Sequence, residues 1–207
     1  MDFVPGGYSA CMPTMTRTLL VANIVAFLLQ QLLGDGFTGM FALWPLGSDR
    51  FMPWQIVTYA FLHGGLMHLA FNMYGLWMFG SELEGVWGAR RLALFYGASV
   101  LAAAVAELIV SALIGNGAPT VGASGGLFGL MIGYAMLFPQ RRIMLLIPPI
   151  PMSARTFVIV YGAIELFLGV TGTAAGIAHF AHLGGLLGGW LVIRYWRGQA
   201  PFKPGRR

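Results

Sequence analysis

Apolar side chains run on through most of this chain, and the breaks between runs are short clusters of charge, glycine and proline. The runs at about 18–34, 65–83, 91–113, 124–139, 156–173 and 177–194 predict six helices, since about 20 mostly apolar residues cross a hydrocarbon core of ~30 Å. The pattern reads as an all-α membrane protein, a six-transmembrane-helix bundle at residues 18–196 between an N-terminal segment (1–17) and a basic tail (197–207). Residues 35–64 are too interrupted by Gly, Pro and charge to span. They hold Trp44, Phe51, Trp54 and Tyr59, which suits a loop in the interfacial zone where aromatic rings are favoured.

Composition sharpens this. Hydrophobic residues make up 57% and charged residues 9%, against about 25% charged in a soluble domain. Cys11 is the single cysteine, so an intrachain disulfide and a cysteine-based metal site are excluded. The start, MDFVPGGYSACMPTMTR, has no basic region leading directly into an apolar run. The expectation is therefore no cleavable signal peptide, with the first span directing insertion.

The net charge of +5 is unevenly placed. With both termini cytoplasmic, Arg17, Arg90, Arg91, Arg141, Arg142, Arg155, Arg194, Arg197, Lys203, Arg206 and Arg207 all fall inside, and only Arg50 falls outside. The basic balance thus reads as positive-inside topology and not as nucleic-acid binding.

Polar groups at membrane depth are few, and such groups usually face a bundle interior or a wet cavity. They are His63, His68 and Asn72 near the second predicted helix, Glu107 in the third, Ser124 opening the fourth, Glu165 in the fifth, and His179 and His182 opening the sixth. The second, fourth and sixth helices run in the same direction, so His68, Ser124 and His182 reach a common depth near the outer face. Any one of them alone reads as a satisfied interhelical hydrogen bond; together they suggest chemistry. A serine becomes a nucleophile when a histidine can take its proton and when donors await the oxyanion. Ser124 and His182 supply the pair. His68 and Asn72, four apart on one face, offer donors, and the start of the fourth helix offers backbone N–H groups and a positive dipole end. No aspartate sits where it can orient the histidine, so the simplest site is a Ser-His dyad. Gly125, Gly129 and Gly133, with Gly184, Gly188, Gly185 and Gly189, recur every four positions, a spacing that lets the fourth and sixth helices approach closely.

These residues resemble the rhomboid family of intramembrane serine proteases. The matching elements are HGGLMHLAFN (63–72), ELEGVWGARRLALFY (82–96), GASG (122–125) and AHLGG (181–185), in the family's order. The resemblance implies proteolysis within the membrane, Ser124 as nucleophile, His182 as base and then acid, and His68 and Asn72 in an oxyanion hole with the Ser124 amide. It places Gly122, Gly125, Phe128, His63 and His179 around substrate or in support, with a structural or cavity-lining role for His179. Phe128 departs from the tyrosine common at its position, which keeps ring stacking and removes a hydroxyl hydrogen bond. The resemblance also implies a membrane-embedded hairpin at 35–64 and a substrate gate at 156–173. Clients are then single-span proteins, unwound near the outer face and cut after a small side chain. The expected setting is a bacterial plasma membrane with the site opening outward; no cofactor, metal or nucleic acid is called for, and the oligomeric state is open.

Three other readings compete. Glu107 and Glu165 suit a transporter or channel, although each reads first as a hydrogen-bonded packing contact. A metal site from His63, His68, His179 and His182 lacks HExxH and any carboxylate near in spacing. A non-catalytic relative that only binds clients conflicts with the presence of both Ser124 and His182.

Overall fold

In a computed structural model, residues 12–115, 118–144, 149–172, 178–199 and 201 are described. The long helices are α1 (Thr14–Leu33), α4 (Leu66–Trp87), α5 (Ala89–Ile114), α6 (Ser124–Leu137), α7 (Ala154–Thr171) and α8 (His179–Trp196). Two short helices, α2 (Asp35–Phe41) and α3 (Gln55–Thr58), and a 3₁₀ turn at Tyr59–Phe61 lie between α1 and α4. All six predicted runs are helical, with ends displaced by a few residues. Residues 1–11 and 202–207, most of the predicted terminal segments, lie outside the described residues.

By length and composition, α1, α5 and α7 can each cross a membrane, and α6 is apolar but shorter. The six predicted runs thus give three spans by this measure. The reason is polar content and length: α4 carries His68, Asn72, Glu82 and Glu84, α8 carries His179, His182 and Arg194, and α6 has only 14 residues. The molecule is otherwise a mostly helical membrane protein. A small departure from all-α is the antiparallel ribbon of β1 (Arg142–Met144) and β2 (Pro151–Ser153), in which Ile143 faces Met152.

The helix ends follow local chemistry. Gly88 takes φ +76° between α4 and α5, and its N–H closes α4 on the Glu84 carbonyl at 2.7 Å; the left-handed region that permits this sharp junction suits glycine alone. Ser153 caps α7 by accepting from the Thr156 N–H. Pro139 follows the last residues of α6, where the helix cannot continue.

The core is the packing of α5, α6 and α8 against one another. Small residues allow it. A methyl at Gly185 would run into the Gly125 carbonyl, and one at Gly189 would meet the Gly129 backbone at 3.0 Å. The expected close approach of α6 and α8 is therefore present. Gly184 and Gly188 instead face Ala106 and Ala102 of α5, so the glycines of α8 serve two neighbours. α4 lies on α6 and α1, while α7 packs on α8 and α6. The buried residues of α7 are Ala154, Phe157 and Val158, all in its first five positions.

One end of the bundle gathers the N-terminus of α1 with the C-termini of α4, α6 and α8. There the Glu84 carboxylate accepts from the Met15 and Thr16 N–H groups at 2.8 and 2.7 Å and from the Thr16 hydroxyl at 2.8 Å. Arg141 meets Glu82 at 2.6 Å, and Trp87 lies edge-on to Trp196. The opposite end holds the polar residues singled out above.

Candidate functional site

Residues 35–64 form an ordered platform at that opposite end. Gln55 is fully buried and holds it together: its amide donates to the Met40 and Arg50 carbonyls at 3.1 and 2.9 Å, and its oxygen accepts from Trp44 and Met52. Tyr59 donates its hydroxyl to the Val100 carbonyl of α5 at 2.9 Å. Leu43 and Thr120 exchange two backbone bonds of 2.9 Å, and the Gly122 N–H donates to the Tyr59 carbonyl. The platform thereby fixes the strand that leads into Ser124.

Gly122 has φ +136°, a backbone that L side chains rarely adopt. Its bare α-carbon also makes room: an added methyl would lie 2.9 Å from His68 Cε1 and 3.3 Å from Ser124 Oγ. Two residues later α6 begins at Ser124, which leaves the first backbone N–H groups of a helix beside the hydroxyl.

His182, one turn into α8 and buried, places Nε2 2.7 Å from Ser124 Oγ. Phe128, one turn into α6, stacks on the His182 ring with centroids 4.4 Å apart and planes within 3°. The departure from tyrosine thus keeps the stack.

His68 sits across Gly122 from Ser124. Its Nδ1 accepts from the Gly64 N–H at 3.3 Å, so the neutral ring carries its proton on Nε2, the nitrogen on the Gly122 and Ser124 side. Asn72 is buried and donates to the His68 carbonyl at 2.9 Å. His63 is buried, edge-on to His68 at 5.1 Å, and its backbone N–H donates to Gln30 Oε1. Burial and the neighbouring His68 lower its pKa to about 4, so it stays neutral near pH 7.

Sequence spacing puts no carboxylate beside these histidines. The structure does: Glu165 Oε2 of α7 lies 2.6 Å from His179 Nδ1 and 3.0 Å from His182 Nδ1. The His179 contact has hydrogen-bond geometry; the His182 contact has ion-pair distance but lies off the hydrogen-bond direction. Residues 165 and 179 meet because α7 and α8 pack side by side, a contact that no local motif announces. Glu107 accepts from the Thr120 hydroxyl at 3.3 Å. Both carboxylates are therefore hydrogen-bonded near the site.

Among the described residues, Glu165, His179 and His182 are the group that could hold a metal, with ligand-capable atoms within 4.8 Å of one another. His63 and His68 belong to a separate pair. The 2.6 Å contact of Glu165 with His179 is hydrogen-bond spacing, whereas ligands on tetrahedral zinc, with bonds of ~2.0–2.1 Å, sit roughly 3.3 Å apart.

The Rhomboid domain profile matches residues 50–198. The chain belongs to the rhomboid family. This rhomboid is 30% identical over 187 residues to the rhomboid protease GlpG of Serratia proteamaculans, covering 88% of this chain and 62% of that protein. It is 30% identical over 186 residues to the rhomboid protease GluP of Bacillus subtilis, covering 87% and 34%. Rhomboid protein 1, mitochondrial, of Saccharomyces cerevisiae is 33% identical over 156 residues, covering 68% and 42%. The rhomboid thus spans about a third to just under two thirds of the length of these relatives.

Proposed function

We propose that this rhomboid is an intramembrane serine endopeptidase that cuts peptide bonds in or beside the transmembrane segments of client proteins. The observation that carries the reading is the 2.7 Å contact of His182 Nε2 with Ser124 Oγ. Two relatives named rhomboid proteases support it.

The chemistry follows from the geometry. Ser124 Oγ attacks the scissile carbonyl while its proton passes to His182 Nε2. The oxyanion is met by the Ser124 backbone N–H and by His68 Nε2–H, donors fixed before the reaction begins. Asn72 joins them by turning its amide away from the His68 carbonyl. The imidazolium returns its proton to the leaving amine, and an acyl group stays on Ser124. A water, deprotonated by the same nitrogen, then releases it. Phe128 holds the ring flat throughout and Gly122 leaves space beside Ser124 for the substrate backbone, whereas Gly125 lets α6 close on Ala103 of α5 and on α8.

All six long helices span, and the excess of arginines at the end opposite Ser124 supports cytoplasmic termini. Residues 18–196 form the membrane unit. At ~1.5 Å per residue, α6 is about 21 Å long, so Ser124 lies below the outer surface and water reaches it through protein. A largely apolar cavity of about 370 Å³ between α4, α6 and α7, lined by Phe71, Met78, Leu127, Phe128, Phe157 and Tyr161, opens beside the site. It is the entrance for a client helix, and α7 is its movable wall. Transport through Glu107 and Glu165 is disfavoured because both are committed to hydrogen bonds around Ser124 and His182.

Cleavage of a single-span client by the purified protein in liposomes tests the reading. Ser124→Ala and His182→Ala should each abolish it, and cleavage that survives Ser124→Ala sinks the proposal.

A further inference from the structure

Glu165 has no part in the two-residue chemistry, yet it is the carboxylate nearest the far side of the general base. We infer that Glu165 is a positioning residue for His182, turning the Ser124 and His182 pair into a relay of three. The inference rests on the proteolytic reading of the same site.

The argument starts from the ring. With Nε2 facing Ser124 Oγ at 2.7 Å, His182 can act as a base only if its neutral form carries the proton on Nδ1. Glu165 Oε2 lies 3.0 Å from that Nδ1. A carboxylate there favours the Nδ1–H tautomer and stabilises the imidazolium formed when Ser124 gives up its proton. No proton leaves for Glu165; it goes from Oγ to Nε2 and on to the leaving amine. His179 fixes the carboxylate by donating from Nδ1 to the same oxygen at 2.6 Å. Phe128 covers the ring face and offers no acceptor. The other ionisable groups around His182 are His179 on its own helix, His68 on α4 and Glu107 on α5.

Because the Glu165 oxygen lies 3.0 Å from His182 Nδ1 but off the hydrogen-bond direction, the anion acts on the ring through space. The experiment is steady-state cleavage of a single-span client in liposomes by wild-type, Glu165→Gln and Glu165→Asp proteins, with Ser124→Ala in parallel. Glu165→Gln should lower kcat about tenfold or more while KM changes less than about twofold, an effect on the reacting state alone. Loss of the anion disfavours the imidazolium, so the acid limb of the kcat profile should move to lower pH. Glu165→Asp keeps the charge and should recover most of kcat and of the limb.

An unmoved limb with wild-type kcat in Glu165→Gln overturns the inference, as does an aspartate variant no better than the glutamine one. A rise in KM alone overturns it in favour of helix packing. Wild-type activity should be unchanged by EDTA; activity lost to the chelator and restored by zinc would instead make Glu165, His179 and His182 ligands. Cleavage by wild type that Ser124→Ala abolishes keeps the proteolytic reading intact whatever Glu165 does.

Discussion

Phe128 lies flat on His182, with ring centroids 4.4 Å apart and planes within 3° of parallel. The phenylalanine comes from α6 and the histidine from α8, so the contact ties the helix that Ser124 opens to His182. A stacked pair contributes about 0.5–1.5 kcal/mol beyond its buried area.

Phe128→Ala should therefore slow cleavage roughly tenfold, since about 1.4 kcal/mol is tenfold in rate. Phe128→Tyr should keep activity within about threefold, because the ring is retained and only a hydroxyl is added. Initial rates on one client decide between them. Equal activity of the alanine variant and wild type would show that the ring needs no backing.

Gly185→Ala should destabilise the fold, because its methyl would meet the Gly125 carbonyl, which is backbone and cannot swing aside. Overpacking of this kind costs about 1–3 kcal/mol. Gly85→Ala, on α4 with nothing within 4 Å of an added methyl, is the control. It should be neutral or stabilising by up to about 1 kcal/mol through helix propensity. Thermal unfolding in one detergent reads both.

Gln55→Leu should loosen the platform before α4. Its four hydrogen-bonding partners, Trp44, Met52, Met40 and Arg50, would lose their bonds together, at about 1 kcal/mol each or more where a group stays buried. Hydrogen exchange should rise across residues 39–58. Protection equal to wild type there would refute the central role of the side chain.

Stability should fall on acidification because of His63. Its folded-state pKa of about 4 lies below the ordinary 6.5, so folding favours the neutral ring. That contribution is full above pH 6.5 and is lost as pH falls toward 4. The difference is on the order of 3 kcal/mol. His63→Phe should flatten the melting temperature over this window, and an unchanged slope would remove His63 as the cause.

That Ser124 and His182 meet was legible in the sequence, because polar groups are rare inside apolar runs and both sit near the start of their helices. The close packing of α6 on α8 was legible in glycines that recur every four positions, although the division of α8's glycines between α5 and α6 needed the packing. Glu165 was visible as a misplaced carboxylate, but its partners are set by how α7 lies on α8, which leaves no trace in spacing. Gln55 had no signal, since a polar loop residue looks alike whether it is solvated or buried. The strands at Arg142–Met144 and Pro151–Ser153 were hidden in an apolar, proline-containing stretch because they are only three residues each.

The Glu84 contact at the other end has a consequence for how the chain is made. The first turn of α1 owes two backbone N–H bonds and one hydroxyl bond to a carboxylate 68 and 69 residues downstream. While α1 is entering the bilayer, Glu84 has not yet been synthesised, and those donors can rest only on water or headgroups. The start of α1 should therefore gain its fixed position only once Glu84 of α4 is in place. Nascent chains arrested before residue 84 should leave Thr16 open to hydrogen exchange, and chains arrested well beyond it should protect it. Glu84→Ala should behave like the short chain at any length, so that a residue far from Ser124 governs when the first helix settles.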